Sequence, residues 1–224
     1  MTDGFHPPVE EYLETIAALA EEGTAVIQAR IAERLGRSAP SVSEMLDRLA
    51  ADGYVSRSGR VIELTDEGRD LAQRVIRRHR LAERLLVDVI GLPWYKAHVE
   101  AGRWEHVISD EVELRLVELL GNPATCPHGN PIPGATQPSH ASHVRLADVP
   151  PGTVVHIERI TEEVELDMAA LEYLDGYGLV PGRSATVRDR APDGTVTVEL
   201  GGRAAAVGAA LSRQLFVSTT DGAG

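Results

Sequence analysis

The chain has 224 residues, 43% of them hydrophobic, and a formal charge of −12. That length can bury one sizeable core and a second, smaller one, while the acidic balance argues against nucleic-acid binding through bulk charge, since phosphate neutralisation drives most of that affinity. The single Cys126 excludes an internal disulfide framework, and no leader pattern or membrane-length apolar run occurs, so a soluble cytoplasmic protein is expected.

The first predicted helix covers residues 7 to 22. Pro7 and Pro8 suit its entrance, and Val9, Tyr12, Leu13, Ile16, Leu19 and Ala20 form an apolar stripe of period near 3.6. Glu11 and Glu14 flank that stripe, either as first-turn carboxylates facing the helix dipole or as metal ligands. A short helix, Gln28 to Leu35, then a turn through Gly36 and Pro40, then a helix from Ser41 to Asp52 give a helix-turn-helix pattern. Tyr54 to Thr65 alternates and turns at Ser58-Gly59, as a two-stranded wing does. Such a module binds DNA or, in the competing reading, another protein. For DNA, the small residues Ser38, Pro40, Ser41 and Ser43 would let the recognition helix approach base edges. Arg30, Arg34, Arg37, Arg57 and Arg60 would serve the phosphates, offsetting the acidic total by clustering. Glu44 fits a capping box with Ser41 or a contact to a cytosine amino group equally well.

Thr65 is the expected N-cap of a long helix from Asp66 to Ile90, with Leu71, Val75, Ala82 and Leu86 inward and His79 and Glu83 on the same face. Gly91-Leu92-Pro93 breaks it. Trp94 to His106 reads as a further helix, carrying His98, Glu105 and His106. Imidazoles and carboxylates recurring at one- and two-turn spacings suit a divalent metal; the alternative is a solvated charged surface. Ser109 to Leu120 follows as a helix, with Leu114, Leu116, Val117 and Leu120 suited to packing on a second subunit. Residues 121 to 152 turn to Gly, Pro, Ser and His. Cys126 and His128 are spaced as zinc ligands are, but no second pair accompanies them, so a structural turn is the preferred reading. Residues 153 to 217 alternate between short strands and tight turns, with one short helix from Asp167 to Asp175, indicating a small barrel.

Taken together, these segments resemble the diphtheria toxin repressor family of metal-dependent repressors. Arg30-Ile31-Ala32-Glu33-Arg34-Leu35 with Ser41-Val42-Ser43 resembles its helix-turn-helix. His79-Arg80-Leu81-Ala82-Glu83 and Arg103-Trp104-Glu105-His106 resemble its metal-binding segments, and Gly129-Asn130-Pro131-Ile132-Pro133-Gly134 the stretch after its dimerisation helix. The resemblance implies an α+β chain in three parts. These are a winged helix-turn-helix over 1–66, an all-α dimerisation and metal-binding domain over 67–140 and, after a linker at 141–152, an SH3-like, FeoA-like small β-barrel over 153–224. It implies a homodimer on double-stranded operator DNA and two metal sites. One would comprise His79, Glu83, His98 and a barrel carboxylate, with Asp167 preferred over Glu165. The other would join Glu11 and Glu14 of the first helix to Glu105 and His106. Iron-type members carry methionine and cysteine where this chain has Glu11 and Gly102. Losing both sulfurs favours Mn²⁺, with Fe²⁺ also accommodated. Manganese-type members usually place a glutamate at Gly102, so that donor is missing here unless a backbone carbonyl, a water or Glu100 fills the gap. The expected function is therefore a metal-activated repressor, with a metal-independent winged-helix regulator and a metalloenzyme as the competing readings.

Overall fold

The structure, a computed structural model, describes residues 8–136 and 143–219; Pro7 and the start of the expected linker lie outside them. Helix α1 (Pro8–Glu21) buries the stripe of Tyr12, Leu13, Ile16 and Leu19. Helices α2 (Gln28–Leu35) and α3 (Ala39–Ala51) meet at Gly36, whose φ of 60° places it in the left-handed region that closes a helix cheaply only for glycine. The N-cap of α3 is Ser38, whose side chain accepts from the Ser41 amide, with Pro40 in the first turn. Of the two equal readings of Glu44, the capping box with Ser41 does not form: the helix begins two residues earlier, where a serine before a proline is the stronger start signal. Leu46 and Leu49 are fully buried against α1 and the wing strands β1 (Val55–Ser58) and β2 (Val61–Leu64), in one apolar core. Strand β1 pairs antiparallel with β2.

Thr65 caps helix α4 (Asp66–Arg84) as expected, accepting from the Gly68 amide at 3.1 Å while its own hydroxyl donates to Gly53 O at 2.7 Å. The wing is thus tied to the start of α4, and Gly68 permits the approach: a Cβ there would sit 2.0 Å from Tyr54 O. The long helix does not run uniformly to Ile90. It opens into a π turn over Leu85–Val89 before Gly91 ends it. The helix expected from Trp94 to His106 is also interrupted. A 3-10 turn (Trp94–Lys96) leads into the short helix α5 (Ala97–Ala101), after which Gly102 to Val107 continue as turns. Helix α6 (Asp110–Leu119) is capped by Ser109. Its Leu116 packs inward with Leu81, Leu86, Ile108 and Ile132, with Val117 and Leu120 beside them, rather than facing a partner. The exposed apolar residues here are Val107, Val112, Leu114 and Leu119.

The last third forms a six-stranded antiparallel sheet, in the order β3 (Val144–Arg145), β8 (Leu215–Thr219), β4 (Val154–Ile160), β5 (Ser184–Arg190), β6 (Val196–Leu200) and β7 (Arg203–Val207). Register shifts at Ile157/Arg159 and Val187/Asp189 mark bulges, which bend a sheet over one core. Leu146 and Val149 belong to that core, so residues 144–149 are part of the β-domain and not of the linker expected there. Helices α7 (Glu162–Glu165), α8 (Met168–Tyr177) and α9 (Ala209–Ser212) lie in its connections.

The β-domain meets the rest of the chain at the end of α1. Glu22 is 5% exposed; its carboxylate accepts from Arg34 Nη2 at 2.7 Å and from the Glu163 amide at 3.0 Å. Its carbonyl accepts from Arg145 at 3.2 Å. The adjacent Glu21 pairs with Arg80 at 2.8 Å and lies 3.6 Å from Arg159. Arg34 is thereby committed to an internal pair, and the phosphate role expected of it is not open to it.

Candidate metal centre and DNA-binding face

Helix α4 presents His79 and Glu83 one turn apart, and α5 brings His98 against them. His79 Nε2 lies 3.2 Å from Glu83 Oε1 and 3.0 Å from His98 Nδ1. His98 Nδ1 is in turn 2.9 Å from Glu165 Oε2 on α7, itself only 3% exposed. The barrel carboxylate in this cluster is therefore Glu165. Asp167, the preferred expectation, is exposed and caps α8, its Oδ1 accepting from the amides of Ala169 and Ala170 at 3.0 and 3.1 Å. An aspartate at an N-cap is held to its own helix start and cannot also turn inward.

Two more donors reach this cluster. Ligand atoms of Glu83, Cys126 and His128 lie within 4.8 Å of one another. His128 Nδ1 is 3.2 Å from Glu83 Oε1 and 3.3 Å from Glu165 Oε2. Cys126 and His128, read from sequence as a structural turn, do form a turn, in which the Gly129 amide donates to Cys126 O at 2.9 Å. That turn faces both residues inward, next to Glu83. Their spacing was the available signal, but the partners that complete the group come from α4 and α7, which no local pattern reveals.

The other nitrogen of the same imidazole opens a second cluster. His79 Nδ1 hydrogen-bonds Glu105, and Glu105 Oε1 is 3.0 Å from His106 Nε2. Glu14 joins His79 and Glu105 within 4.8 Å. His106 Nδ1 lies 2.7 Å from Glu10 Oε2, a first-helix contact the sequence reading did not single out. Glu11 lies toward Arg37 at 3.7 Å. Glu100 does not substitute for a side chain at Gly102: it accepts from Arg103 and from Trp104 Nε1, the latter at 3.1 Å.

The donor set fits a divalent cation. Glu83 Oε2 is buried without a hydrogen-bond partner, which costs about 1–3 kcal/mol, and His128 Nδ1 is buried against the Glu83 and Glu165 carboxylates without a well-aligned hydrogen bond. Coordination would satisfy both. The charges are poised accordingly. Burial pulls the imidazoles down, but Glu83 and Glu105 hold His79 well above the usual histidine range, and Glu165 and Glu83 raise His98 to about 10. Burial is outweighed again at Glu105, which His79 and His106 hold down at about 2. Glu14 is pushed up to about 8 by burial and by Glu105. These shifts set a sign. At pH 7.5 the metal-free clusters hold protons on His79 and His98, and a cation must displace them. Mn²⁺ uptake is expected to release about two protons per chain or more, and affinity should fall as pH drops from 8 to 6. Calorimetry in buffers of different ionisation enthalpy checks this; proton-neutral binding would contradict it.

The recognition helix shares a core with α1 through Leu46 and Leu49. Ser38, Pro40, Ser41 and Glu44 are exposed at the N-terminal end of α3, and Ser43 is half-buried. Arg57 of β1 pairs with Asp47 at 2.8 Å and lies 3.5 Å from Ser43 O, placing the wing beside α3. Arg60 at the wing tip is exposed and has no ion pair among the described residues. Arg30 is paired with the exposed Glu33 at 2.7 Å. Surface pairs of this kind contribute about 0–1 kcal/mol, so Arg30, Arg37 and Arg57 can exchange their carboxylates for phosphates at little cost.

A winged helix-turn-helix beside a buried imidazole–carboxylate centre defines a metal-responsive DNA-binding regulator. The comparisons with known proteins agree. Residues 5–60 match the iron dependent repressor N-terminal DNA binding domain, residues 65–134 the iron dependent repressor metal binding and dimerisation domain, and residues 144–219 the FeoA domain. The iron-dependent repressor IdeR of Mycobacterium tuberculosis is 48% identical over 204 residues, covering 86% of this chain and 88% of that one. The diphtheria toxin repressor of Corynebacterium glutamicum is 46% identical over 189 residues, covering 80% and 82%. A solved manganese-dependent transcriptional repressor in complex with manganese superposes with a TM-score of 0.85 at 30% identity, covering 94% of this chain and 99% of that one. This chain belongs to the iron-dependent, or diphtheria toxin, repressor family. It is a metal-activated DNA-binding repressor and not an enzyme. No helix among the described residues is long and apolar enough to cross a membrane.

Proposed function

We propose that the chain acts as a homodimer that binds double-stranded operator DNA when Mn²⁺ loads the centre around His79, with Fe²⁺ also accepted. The observation that carries this reading is the convergence of three units on one imidazole: the first helix through Glu14, the helical unit through Glu83, His98, Glu105 and His106, and the β-domain through Glu165. The functional units are a DNA-binding part over 1–66, a dimerisation and metal part over 67–140, and a β-domain that begins at Val144. Glu11 pairs with Arg37 in the DNA-free chain and gives it up to phosphate on operator binding. Arg30, Arg37, Arg57 and Arg60 contact phosphates, and Ser38, Pro40, Ser41, Ser43 and Glu44 face bases. The exposed Val107, Val112, Leu114 and Leu119 supply the dimer contact.

When bound, the cation supplies positive charge and a fixed demand for donors at each cluster. Without it, burial and the Glu105 charge make Glu14 costly to ionise, and α1 is held loosely at that end. Neutralising both carboxylates lets α1 seat on α4, and the recognition helix, packed on α1 through Leu46 and Leu49, takes up one position relative to the dimer axis. Oxygen and imidazole donors dominate both clusters, which favours Mn²⁺. The Cys126 thiol is held protonated by burial and by Glu83 and Glu165 beside it, which keeps sulfur from deciding the metal. The test is fluorescence anisotropy on a duplex selected from random sequences, titrated with Mn²⁺ and, anaerobically, Fe²⁺. Operator affinity should rise at least about 100-fold with Mn²⁺, within the range such coupling spans. Affinity unchanged by either metal would overturn the reading.

A further inference from the structure

Trp94, in the 3-10 turn before α5, offers a metal no donor, yet its side chain reaches the turn that carries Cys126 and His128. The indole Nε1–H donates to Pro127 O at 3.0 Å. The indole also lies against the His128 ring, with centroids 4.7 Å apart and planes tilted by 50°. The backbone adds a third contact: His128 Nε2 is 3.3 Å from Trp94 O. A carbonyl only accepts, so Nε2 carries the proton of that bond. Nδ1 is then the nitrogen left to face Glu83 Oε1 at 3.2 Å and Glu165 Oε2 at 3.3 Å.

The other side of the same turn is held by the β-domain. His128 O accepts from the Ile160 amide at 3.0 Å, and Asn130 Nδ2 donates to Ile160 O at 2.9 Å. Gly129 lets the two backbones meet, since a Cβ there would sit 2.0 Å from Glu158 O. Trp94 and Tyr95 pack in turn against the β-domain core. The fully buried His128 is thus gripped between the indole and β4. Outer partners that orient a ligating imidazole in this way decide which nitrogen it presents.

We propose that Trp94 is a positioning residue of the metal centre, holding the His128 ring so that Nδ1 is presented to the cation beside Glu83 and Glu165. This rests on the metal-activation reading, with His128 as one of the donors. Because the same indole packs on the β-domain core, seating that domain and setting His128 become a single event.

Mn²⁺ calorimetry on the full chain should compare wild type, Trp94→Phe, Trp94→Leu and Tyr95→Leu. A two-dimensional ¹⁵N–¹H spectrum of the Zn²⁺-loaded chains reads which histidine nitrogen is bound. Wild type should load two loci, with His128 bound through Nδ1 and protonated on Nε2. Trp94→Leu should lose about 10- to 100-fold at the locus of Glu83 and His98 and leave the other as in wild type. Its His128 Nε2 proton should exchange into solvent. Trp94→Phe keeps a ring but no N–H, and should lose roughly 3- to 10-fold at the same locus. Tyr95→Leu trims the same packing on the β-domain core and should bind as wild type does. If either Trp94 variant keeps wild-type affinity, if Trp94→Leu keeps the wild-type His128 signals, or if Tyr95→Leu loses as much, Trp94 does not position His128 and the metal-activation reading stands. A wild-type chain that takes up no Mn²⁺ overturns both.

Discussion

Replacing His79 with alanine is expected to abolish the metal dependence of operator binding altogether. The reason is topological within the site. His79 Nε2 faces Glu83 and His98 while its Nδ1 faces Glu105, so one ring is common to both clusters. Losing an outer partner of a ligand typically costs about 10–100-fold in metal affinity, and losing a ring shared by two clusters should exceed that. The variant should bind Mn²⁺ at least 100-fold more weakly by calorimetry, on the order of 3 kcal/mol, and should bind operator equally weakly with and without Mn²⁺. His79→Gln should not rescue it, because an amide offers one acceptor oxygen where the ring offers a nitrogen on each side. A variant that keeps metal-stimulated DNA binding would show that the clusters act independently.

Glu22→Ala should cause the largest loss of stability among single changes at the interface of the units. It strips the close partner from Arg34, whose side chain is only 10% exposed, leaving it Glu163 at 3.8 Å, and removes the acceptor of the Glu163 amide. Breaking a buried pair from one side costs about 3–5 kcal/mol. In a chain of this size each kcal/mol lowers Tm by roughly 2–4 °C. The double variant Glu22→Leu/Arg34→Met should recover much of that loss, because it leaves no charge stranded. Scanning calorimetry on the metal-free chain checks both. Should Glu22→Ala melt within a degree of wild type, the pair is solvated in solution and does not hold the units together.

How much of this was legible in the sequence depended on whether a signal was local. The helix-turn-helix was, because Ile31 with Leu35, and Val42 with Leu46 and Leu49, repeat at helical spacing and Gly36 marks the turn. Thr65 was legible as a cap, and His79 with Glu83 as neighbours one turn apart. The α3 start was misplaced because Ser41-x-x-Glu44 imitates a capping box three residues downstream of the serine that does the capping. The helix drawn through His106 ends at Ala101, where Gly102 weakens it and Glu105 and His106 leave the helical line to meet α1 and α4. Asp167 was preferred over Glu165, although an aspartate just before an apolar helix is itself a cap signal. Strand β7 was missed because Ala204, Ala205 and Ala206 carry little strand propensity; its pairing with β6 decides it. The donors from the Cys126 turn and from α7 come from far along the chain. Their convergence is a product of packing, and no spacing rule encodes it.

Helix α7 has four residues and carries three glutamates, aimed at three different neighbours: Glu162 toward the cavity lined by Glu14, His98 and Glu105, Glu163 toward Arg34 and Gln214, and Glu165 toward His98 and His128. Each step along a helix turns a side chain by about 100°. Deleting or inserting one residue between Thr161 and Leu166 would therefore point every carboxylate at the wrong neighbour at once. Substitutions there remove one contact at a time. A change of length scrambles all three, so the spacing of this segment is constrained more tightly than its composition.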